Sequence, residues 1–200
     1  MGKRFRPRTS ERRAVRGLLT RSLGRWVSGI VLLVLLTLVG WVVLSVRIGA
    51  VLTDSMDPTF VPGDQYVIRI DAYRSSPPQR GDIVVIRHPE GHETLLKRVI
   101  GVPGDMVGVR FGRAWVNGEW VVEPYIKDVP GVREKPVLTK VPEGRVFLLG
   151  DNRNFSEDSR DLGTLPVKDV LGRVVAIIYP MHRRQKLPQV QLDAPDVAPK

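Results

Sequence analysis

Cysteine is absent from the 200 residues of this chain, and histidine is scarce. Without cysteine the protein has no disulfide framework, no thiol nucleophile and no cysteine-ligated metal site. The absence fits an oxidising compartment outside the cytoplasm but does not demand one. The three histidines lie in polar or basic surroundings typical of solvated surface residues, which argues against a serine–histidine triad. They are His88, His92 and His182.

Acidic residues are nearly absent from residues 1–25, where Glu11 stands against nine Lys or Arg. The whole chain has a formal charge of +10, but the part after residue 25 is nearly neutral. The basicity therefore belongs to the N-terminal tail. Phe5 is the only aromatic residue of this tail, so the stacking pattern of a nucleic-acid-binding segment is missing. We expect no nucleic-acid partner.

Charge is missing altogether from residues 26–46, a run of 21 mostly apolar residues. As a helix this run would span roughly 30 Å, the thickness of a bilayer's hydrocarbon core. It is apolar on all sides, which favours a transmembrane anchor over an amphipathic surface helix. The basic tail precedes the run and only Arg47 follows it closely. The positive-inside rule therefore predicts that residues 1–25 are cytoplasmic and that the chain after residue 50 lies across the membrane.

A cleaved signal peptide is the other interpretation of the same run. Its apolar part is longer than the roughly 7–15 residues typical of such peptides. The best nearby small-residue site, Gly49-Ala50, has the bulky Ile48 where a small side chain is preferred. Cleavage there would also leave Ser55 almost at the new N-terminus, so we expect an uncleaved anchor.

After the anchor the apolar pattern takes the period of β-strands. Short β-branched runs separated by loops predict a mainly β fold, with a barrel-like antiparallel β-sheet catalytic domain at residues 47–182. Asn117-Gly118 is the strongest hairpin signal, and residues 127–140 have the composition of a loop. The charged, Pro-rich residues 183–200 are expected to be disordered. Strands are predicted at residues 65–70, 82–87, 95–102, 106–109, 113–116, 119–122, 145–149 and 172–179.

Ser55 lies between the anchor and the first of these strands, in a segment predicted to be irregular. Asp57 precedes a proline and is restricted to an extended conformation, and Pro62-Gly63 indicates a turn. We therefore expect no helix around Ser55. A serine on a stiff segment beside a membrane-length helix is a candidate nucleophile, although no GxSxG elbow surrounds it. An ordinary helix-to-strand linker would have the same composition.

Lys97 is the candidate proton acceptor for this serine. Alternation along a strand places it on one face with Leu95 and Val99. Burial among apolar neighbours disfavours the ammonium and lowers the pKa of a lysine. The neutral amine that results can deprotonate a serine. A lysine on an edge strand, exposed to solvent, is the other interpretation.

A third stretch, residues 150–161, follows a predicted strand and is dense in turn-forming and charged residues. Its spacing lacks the glycine and glutamate of a calcium-binding EF-hand loop. A rigid loop is expected instead, held by Asp158 with Arg153 or Arg160. Such a loop is able to present Ser156 to the lysine amine as an orienting hydroxyl.

Together these stretches resemble the motifs of bacterial type I signal peptidases, membrane-bound serine proteases with a Ser-Lys dyad. The resemblance covers residues from about 26 to 180 and preserves the order of the family's motifs. The four stretches that carry it are Ser55-Met56-Asp57-Pro58-Thr59 with Gly63-Asp64, Gly81-Asp82-Ile83-Val84-Val85, Lys97-Arg98-Val99-Ile100-Gly101, and Gly150-Asp151-Asn152-Arg153-Asn154 with Ser156, Asp158, Ser159 and Arg160.

The resemblance implies a role for each of these positions. Ser55 would be the nucleophile, Lys97 the general base and Ser156 the residue that orients the lysine. The Ser55 backbone N–H and the Thr53 hydroxyl would form the oxyanion hole, with threonine where many members have serine. No metal or cofactor is implied. Structural support would come from Asp151, Arg153, Asp158 and Arg160, and the apolar substrate pockets from Val51, Met56, Leu95 and Leu96.

The expected function is removal of signal peptides from exported preproteins at Ala-x-Ala-like sites, by a single-pass protein in the cytoplasmic membrane of a bacterium. The lipid bilayer would be its second partner, and the catalytic domain would lie on the outer face. Two alternatives remain at this stage. One is a self-cleaving regulator of related fold with Ser-Lys chemistry, and the other is a catalytically silent, membrane-tethered β protein.

Overall fold

The computed structural model describes residues 9–91, 93–126, 136–188 and Leu192. The chain divides into two compact units, with the boundary between Leu44 and Ser45. The first unit consists of helix α1, which runs over Thr9–Ser45. The second contains all the strands.

Within α1, residues Trp26–Ser45 form a segment of 20 residues that is long and apolar enough to cross a membrane. Its large apolar side chains are exposed; Leu33 and Val39, for example, are 63% and 59% exposed. An apolar helix that buries none of its faces against protein is what a bilayer requires. The helix ends at Ser45, one residue before the predicted end of the anchor, because Val46 already belongs to the first strand.

Twelve strands, one short α-helix and three 3₁₀ turns make up the second unit in the described residues. The helix, α2, covers Ser159–Leu162. The strands are β1 (Val46–Ala50), β2 (Gln65–Arg69), β3 (Ile83–Arg87), β4 (Thr94–Gly101), β5 (Met106–Arg110), β6 (Arg113–Val116), β7 (Glu119–Trp120), β8 (Val137–Lys140), β9 (Arg145–Leu149), β10 (Leu165–Pro166), β11 (Val170–Tyr179) and β12 (Gln185–Lys186).

The strands form two antiparallel sheets. The larger has the order β1-β2-β11-β3-β4-β9-β10, with β12 paired to β11, and the smaller has the order β7-β6-β5-β8. This is the mainly β architecture that the sequence predicts. Strand β4 lies inside the larger sheet between β3 and β9, so it is not an edge strand.

The hairpin predicted at Asn117-Gly118 is confirmed. Both residues have positive φ, 52° and 102°, as a two-residue type I′ connection requires. The turn joins β6 to β7 and pairs Val116 with Glu119.

Four strands were not predicted from the sequence: β1, β8, β10 and β12. β1 directly continues the apolar anchor, so no change of pattern marks its start. β8 lies inside the stretch assigned to a loop, residues 127–140, of which 127–135 are outside the described residues. β12 belongs to the tail expected to be disordered from residue 183, and it pairs with Ala176 and Ile177 of β11. Residues 189–191 and 193–200 are not described. Each of these strands has five residues or fewer, too short for a periodic signal.

Three buried clusters hold the sheets together. The first joins the smaller sheet to β4 and β9 through Val107, Val116, Ile100 and Phe147. The second packs the segment after β1, through Met56 and Phe60, on β2, β3 and β11. The third contains Val84, Val99 and Leu148 of β3, β4 and β9. Strand β4 contributes to all three clusters, which makes it the central element of the domain.

Gly172 of β11 is expected to be intolerant of any side chain. A Cβ there would lie 2.5 Å from the Arg69 carbonyl oxygen and 2.7 Å from Ile68 Cγ2 of the neighbouring strand. We expect Gly172→Ala to destabilise the β domain by about 1–3 kcal/mol through overpacking, measured by chemical unfolding of the full chain in detergent micelles. The control is Gly91→Ala, whose Cβ would meet nothing closer than 3.8 Å. Equal stability of the two variants would contradict the prediction.

Candidate active site

Ser55 lies in a single 3₁₀ turn, Asp54–Met56. The prediction that no helix surrounds Ser55 is therefore wrong for these three residues. Thr53 precedes the turn in an extended conformation, and the Asp57 N–H closes it by donating to the Asp54 carbonyl. Asp57 itself is extended, with φ −63° and ψ 135°, as expected before proline. One i→i+3 bond is compatible with this restriction, whereas a longer helix is not.

The turn is fixed to the core by the residues that follow Ser55. Met56 and Phe60 are fully buried, and the Phe60 N–H donates to the Met56 carbonyl. Phe60 also packs edge-on against Tyr66 of β2, with the ring centroids 5.8 Å apart. Ser55 is 8% exposed. The serine is therefore presented by a rigid support.

Arg183, which follows β11, bonds to the segment between Ser55 and β2. Its guanidinium donates to both Asp64 carboxylate oxygens, at 2.8 and 3.1 Å, and to the Thr59 carbonyl at 3.3 Å. The Asp64 carboxylate also accepts the Val61 N–H. No local sequence signal connects residues 119 positions apart, so sequence reasoning missed this contact.

Lys97 lies in the middle of β4, opposite Val84 of β3. Its residue exposure is 3%, and its Nζ is 2.8 Å from Ser55 Oγ. The two candidate residues, 42 positions apart in sequence, are thus in direct hydrogen-bond contact. A serine hydroxyl at this distance from a lysine amine is able to transfer its proton when the amine is neutral.

Burial favours that neutral form. Desolvation lowers the pKa of Lys97 from 10.5 to about 8, against the opposing charges of Asp158, Glu157 and Asp151, which raise it. The Arg160 charge lowers it further. At a pKa of about 8 the amine is half deprotonated at pH 8, whereas an ordinary lysine is neutral only about one part in a thousand near pH 7.5.

Thr53 presents its hydroxyl to the same serine. Its Oγ1 lies 3.4 Å from Ser55 Oγ, although the residue itself is exposed. A second hydroxyl therefore lies beside the candidate nucleophile.

Asp158 organises the loop after β9. It accepts the Gly150 N–H at 3.0 Å, the Arg160 N–H at 3.1 Å and two bonds from the Arg160 guanidinium at 2.9 Å. Of the two arginines considered for Asp158, the structure pairs it with Arg160. The carboxylate is fully buried with its charge compensated, which makes the loop stiff.

Asp151 and Asn152 attach this loop to the nucleophile turn. The Asp151 carboxylate accepts a bidentate pair from Arg98, at 2.9 and 2.6 Å, and the Thr59 hydroxyl at 2.5 Å. The Asn152 backbone N–H donates to the Ser55 carbonyl at 3.1 Å, and its side-chain amide donates to the Asp54 carbonyl at 3.1 Å. Ser55 is therefore held from the loop as well as from the core.

Arg153 belongs to the same loop but reaches away from Asp158. Its guanidinium pairs with Glu123 at 2.5 Å, and the exposed fractions of the two side chains are 3% and 2%. Sequence reasoning missed Glu123. No local signal pointed to it, because Glu123 is 30 positions from Arg153 and the loop carries other carboxylates of its own.

Ser156 is buried, and its Oγ has no hydrogen-bond partner among the described residues. The expected bond to Lys97 is thus not made in this structure, where the amine contacts Ser55. A Cβ on Gly150 would collide with both Ser156 Oγ and the Ser55 carbonyl oxygen. Gly150 therefore allows the Ser156 hydroxyl to approach the nucleophile turn closely.

The four residues expected to line substrate pockets lie in two clusters. Val51, Met56 and Leu96 belong to the second cluster, and Leu95 packs against the third. Met56 is fully enclosed, whereas Leu95 and Leu96 are partly exposed. The side chains bonded to Ser55 Oγ in the described residues are those of Lys97 and Thr53 and not a histidine. His88 Nε2 lies 3.7 Å from Glu157, and His182 is exposed. His92 is outside the described residues.

Comparison with known proteins shows which family this chain resembles. The family model described as signal peptidase, peptidase S26, matches residues 23–179. Signal peptidase I of Leptolyngbya laminosa is 37% identical over 143 residues, which cover 68% of this chain and 70% of that protein. Signal peptidase I V of Bacillus subtilis is 35% identical over 130 residues, which cover 59% of this chain and 77% of that protein. The crystal structure of a signal peptidase I from Enterococcus faecalis, 31% identical, covers 48% of this chain and 95% of that chain with a TM-score of 0.43.

Lys97 is expected to make stability depend on pH. Its folded pKa of about 8 lies below the ordinary 10.5, so between these values the unfolded chain keeps a proton that the folded chain has released. The free energy of unfolding should therefore rise with pH across this window, by up to about 3 kcal/mol. The measurement is chemical unfolding of the full chain at pH 7 to 10.5, with Lys97→Met as reference. An unchanged difference between the two proteins across the window would contradict the shift.

Proposed function

The chain belongs to the signal peptidase family, peptidase S26, and we propose that Ser55 and Lys97 are the dyad with which it cleaves its substrates. Its activity is that of a serine endopeptidase that removes the signal peptides of preproteins. The observation that carries the assignment of the dyad is the 2.8 Å contact between a buried lysine amine and the hydroxyl of a serine on a rigid turn.

The reaction begins when the neutral Lys97 amine takes the Ser55 proton. Ser55 Oγ then attacks the carbonyl carbon of the scissile peptide bond and forms a tetrahedral oxyanion. The C–N bond breaks, the leaving amine takes the proton from the Lys97 ammonium, and an acyl-enzyme remains. Lys97 next accepts a proton from water, whose oxygen attacks the acyl carbon. The ester C–O bond then breaks, the acyl product leaves as a carboxyl group, and Ser55 Oγ takes the proton back from the Lys97 ammonium.

The oxyanion hole is formed by the Ser55 backbone N–H and the Thr53 hydroxyl. Ser55 lies in the first turn of a 3₁₀ helix, where backbone N–H groups have no partner within the helix. The 3.4 Å approach of Thr53 Oγ1 to Ser55 Oγ supports the second donor. A β-branched side chain restricts the rotation of this hydroxyl, so less reorganisation is needed when negative charge develops.

Ser156 orients Lys97 when the amine leaves Ser55. Support comes from its buried, unpartnered Oγ beside Gly150 and the Ser55 carbonyl. A buried hydroxyl without a partner is costly, and a shift of the Lys97 amine would provide one. The loop that carries Ser156 is held by Asp151, Arg153, Asp158 and Arg160.

Small apolar side chains of an Ala-x-Ala-like site fit the pockets assigned to Val51, Met56, Leu95 and Leu96. Val51 and the partly exposed leucines contact the substrate, and the enclosed Met56 supports the pocket from below. Val51 and Met56 lie on either side of Ser55 in the chain, and Leu95 and Leu96 directly precede Lys97, which supports a substrate bound beside the dyad.

The protein acts on the outer face of a bacterial cytoplasmic membrane. Residues 1–25 remain inside, residues 26–45 anchor the chain in the bilayer, and the chain from β1 onward forms the catalytic domain, which includes Arg183 and β12. The apolar segment Trp26–Ser45 and the nine basic residues before position 26 support this topology. Enzyme and preprotein are then confined to one plane, which favours productive encounter.

Ser55→Ala and Lys97→Ala should each abolish cleavage of a signal-peptide substrate, lowering kcat/KM by about 1,000-fold or more, because either loss removes the dyad. The controls are Ser75→Ala and Lys140→Ala, which change exposed residues of the same types. Mass spectrometry after treatment with a serine-directed acylating inhibitor should find the adduct on Ser55. Wild-type cleavage by either dyad variant would refute the assignment, and the absence of any adduct would favour a catalytically silent protein.

The pH dependence of kcat/KM reports the protonation of the base in the free enzyme. Because the neutral Lys97 amine is the active form and its pKa is about 8, we expect kcat/KM to rise with pH through about 8 and then to level off. Steady-state cleavage from pH 6 to 10 measures this. A rise only near pH 10.5 would show an unshifted lysine and would contradict the mechanism.

A further inference from the structure

The segment after β7 carries two residues, Glu123 and Tyr125, that belong to none of the motifs of the predicted site. The Glu123 carboxylate accepts four hydrogen bonds. Two come from the Arg153 guanidinium at 2.5 and 3.1 Å, one from the Tyr125 hydroxyl at 3.0 Å and one from the Ala114 N–H at 2.9 Å. Only 2% of its side chain is exposed to solvent, so the carboxylate bonds to protein groups on both oxygens and is shielded from bulk water.

Arg153 connects Glu123 to the loop after β9, residues 150–161, which is called the catalytic loop from here on. Its Nε donates to the Gly150 carbonyl at 2.9 Å, and its guanidinium also donates to the Gly112 carbonyl. A buried guanidinium depends on a carboxylate partner, because an unpaired charge in this position is strongly unfavourable. Glu123 therefore fixes where Arg153, and with it Gly150, is placed.

Tyr125 makes the second connection. Its ring lies under the Arg98 guanidinium, with 3.7 Å between Cζ and the ring centroid, a distance typical of a cation–π contact. Burial and the charge of Glu123 raise the pKa of Tyr125, so its hydroxyl remains protonated and donates to Glu123. One pair of residues thus contacts two of the three buried arginines that hold the catalytic loop.

Both arginines bond to the catalytic loop at the two positions directly before Asn152. Arg98 follows Lys97 in β4 and binds Asp151 through two hydrogen bonds. Asp151 is followed by Asn152, whose backbone N–H and side chain donate to the carbonyls of Ser55 and Asp54. A displacement of the loop would therefore change the position of Ser55 relative to the Lys97 amine.

We propose that Glu123 and Tyr125 are positioning residues, which set the geometry of the Ser55–Lys97 pair by holding Arg153 and Arg98 from the segment after β7. They contact neither reacting atom. The kinetic part of this inference rests on the proposed function, whereas the effect on the loop does not.

The test of the loop uses Glu123→Gln, which keeps the shape of the side chain but removes its charge. Hydrogen exchange of the Asn152 backbone amide in the full chain, in detergent micelles, should accelerate by about tenfold or more. Asp105→Asn is the matched control, because Asp105 is also buried, pairs with Arg80 and accepts a backbone N–H but makes none of the bonds described for the catalytic loop. Equal exchange in the two variants would overturn the inference, whether or not the protein cleaves signal peptides.

The test of positioning uses kinetics on the same variants. Glu123→Gln should lower kcat by about tenfold while KM stays within a factor of about two. The pH at which kcat/KM rises should also become higher, because water that reaches Lys97 raises the pKa of its amine. Tyr125→Phe should act in the same direction but less, whereas Tyr73→Phe, which removes a hydroxyl bound to Asp82, should leave the pH profile unchanged. A wild-type kcat and pH profile in Glu123→Gln would overturn the inference while Ser55→Ala still tests the function.

The double variant Glu123→Leu/Arg153→Met separates positioning from stability. It removes both charges, so no unpaired ion is buried and thermal stability should return towards that of the wild type. The positioning role predicts that kcat nevertheless stays low. Recovery of kcat together with stability would assign the pair a purely structural role and would overturn the inference.

Discussion

The removal of water from one lysine amine is the constraint on which the rest of this structure depends. The pKa of the Lys97 amine falls to about 8 because the amine is enclosed, and the enclosure comes from a strand in the middle of the larger sheet. The same burial would be unfavourable for an ammonium. The domain therefore keeps the Lys97 amine in its neutral form, which a solvated lysine rarely takes. The packing of the strands around β4 supplies the free energy that offsets this burial.

The charged residues around the site are arranged so that they do not cancel this effect. Asp158, Asp151 and Glu157 all raise the pKa of Lys97. Asp158 and Asp151, however, are each bonded to an arginine, Arg160 and Arg98. A paired carboxylate attracts a nearby proton less than a free one. The ion pairs thus have two effects at once, since they make the loop rigid and they limit the field of its carboxylates at the amine.

Sequence reasoning found the parts of the site that carry a local signal. Ser55 precedes a proline-restricted segment, Lys97 alternates with apolar residues, and the loop after β9 is rich in charge. The partners Glu123, Tyr125 and Arg183 were missed, because pairing across tens of residues depends on sheet register and on the packing of two sheets. The short turn at Ser55 was missed for a different reason. The rule for residues before proline forbids a helix at Asp57 but says nothing about a single turn that ends there.

The brace between Arg183 and Asp64 also has a consequence for the time at which activity arises. During synthesis the serine is made more than a hundred residues before the arginine that supports its segment, and β11, between β2 and β3 in the sheet, is likewise made late. In a growing chain the segment that carries Ser55 therefore lacks these two supports until the end of the domain has been made. The rigid presentation of the serine is completed by the last part of the domain to be synthesised.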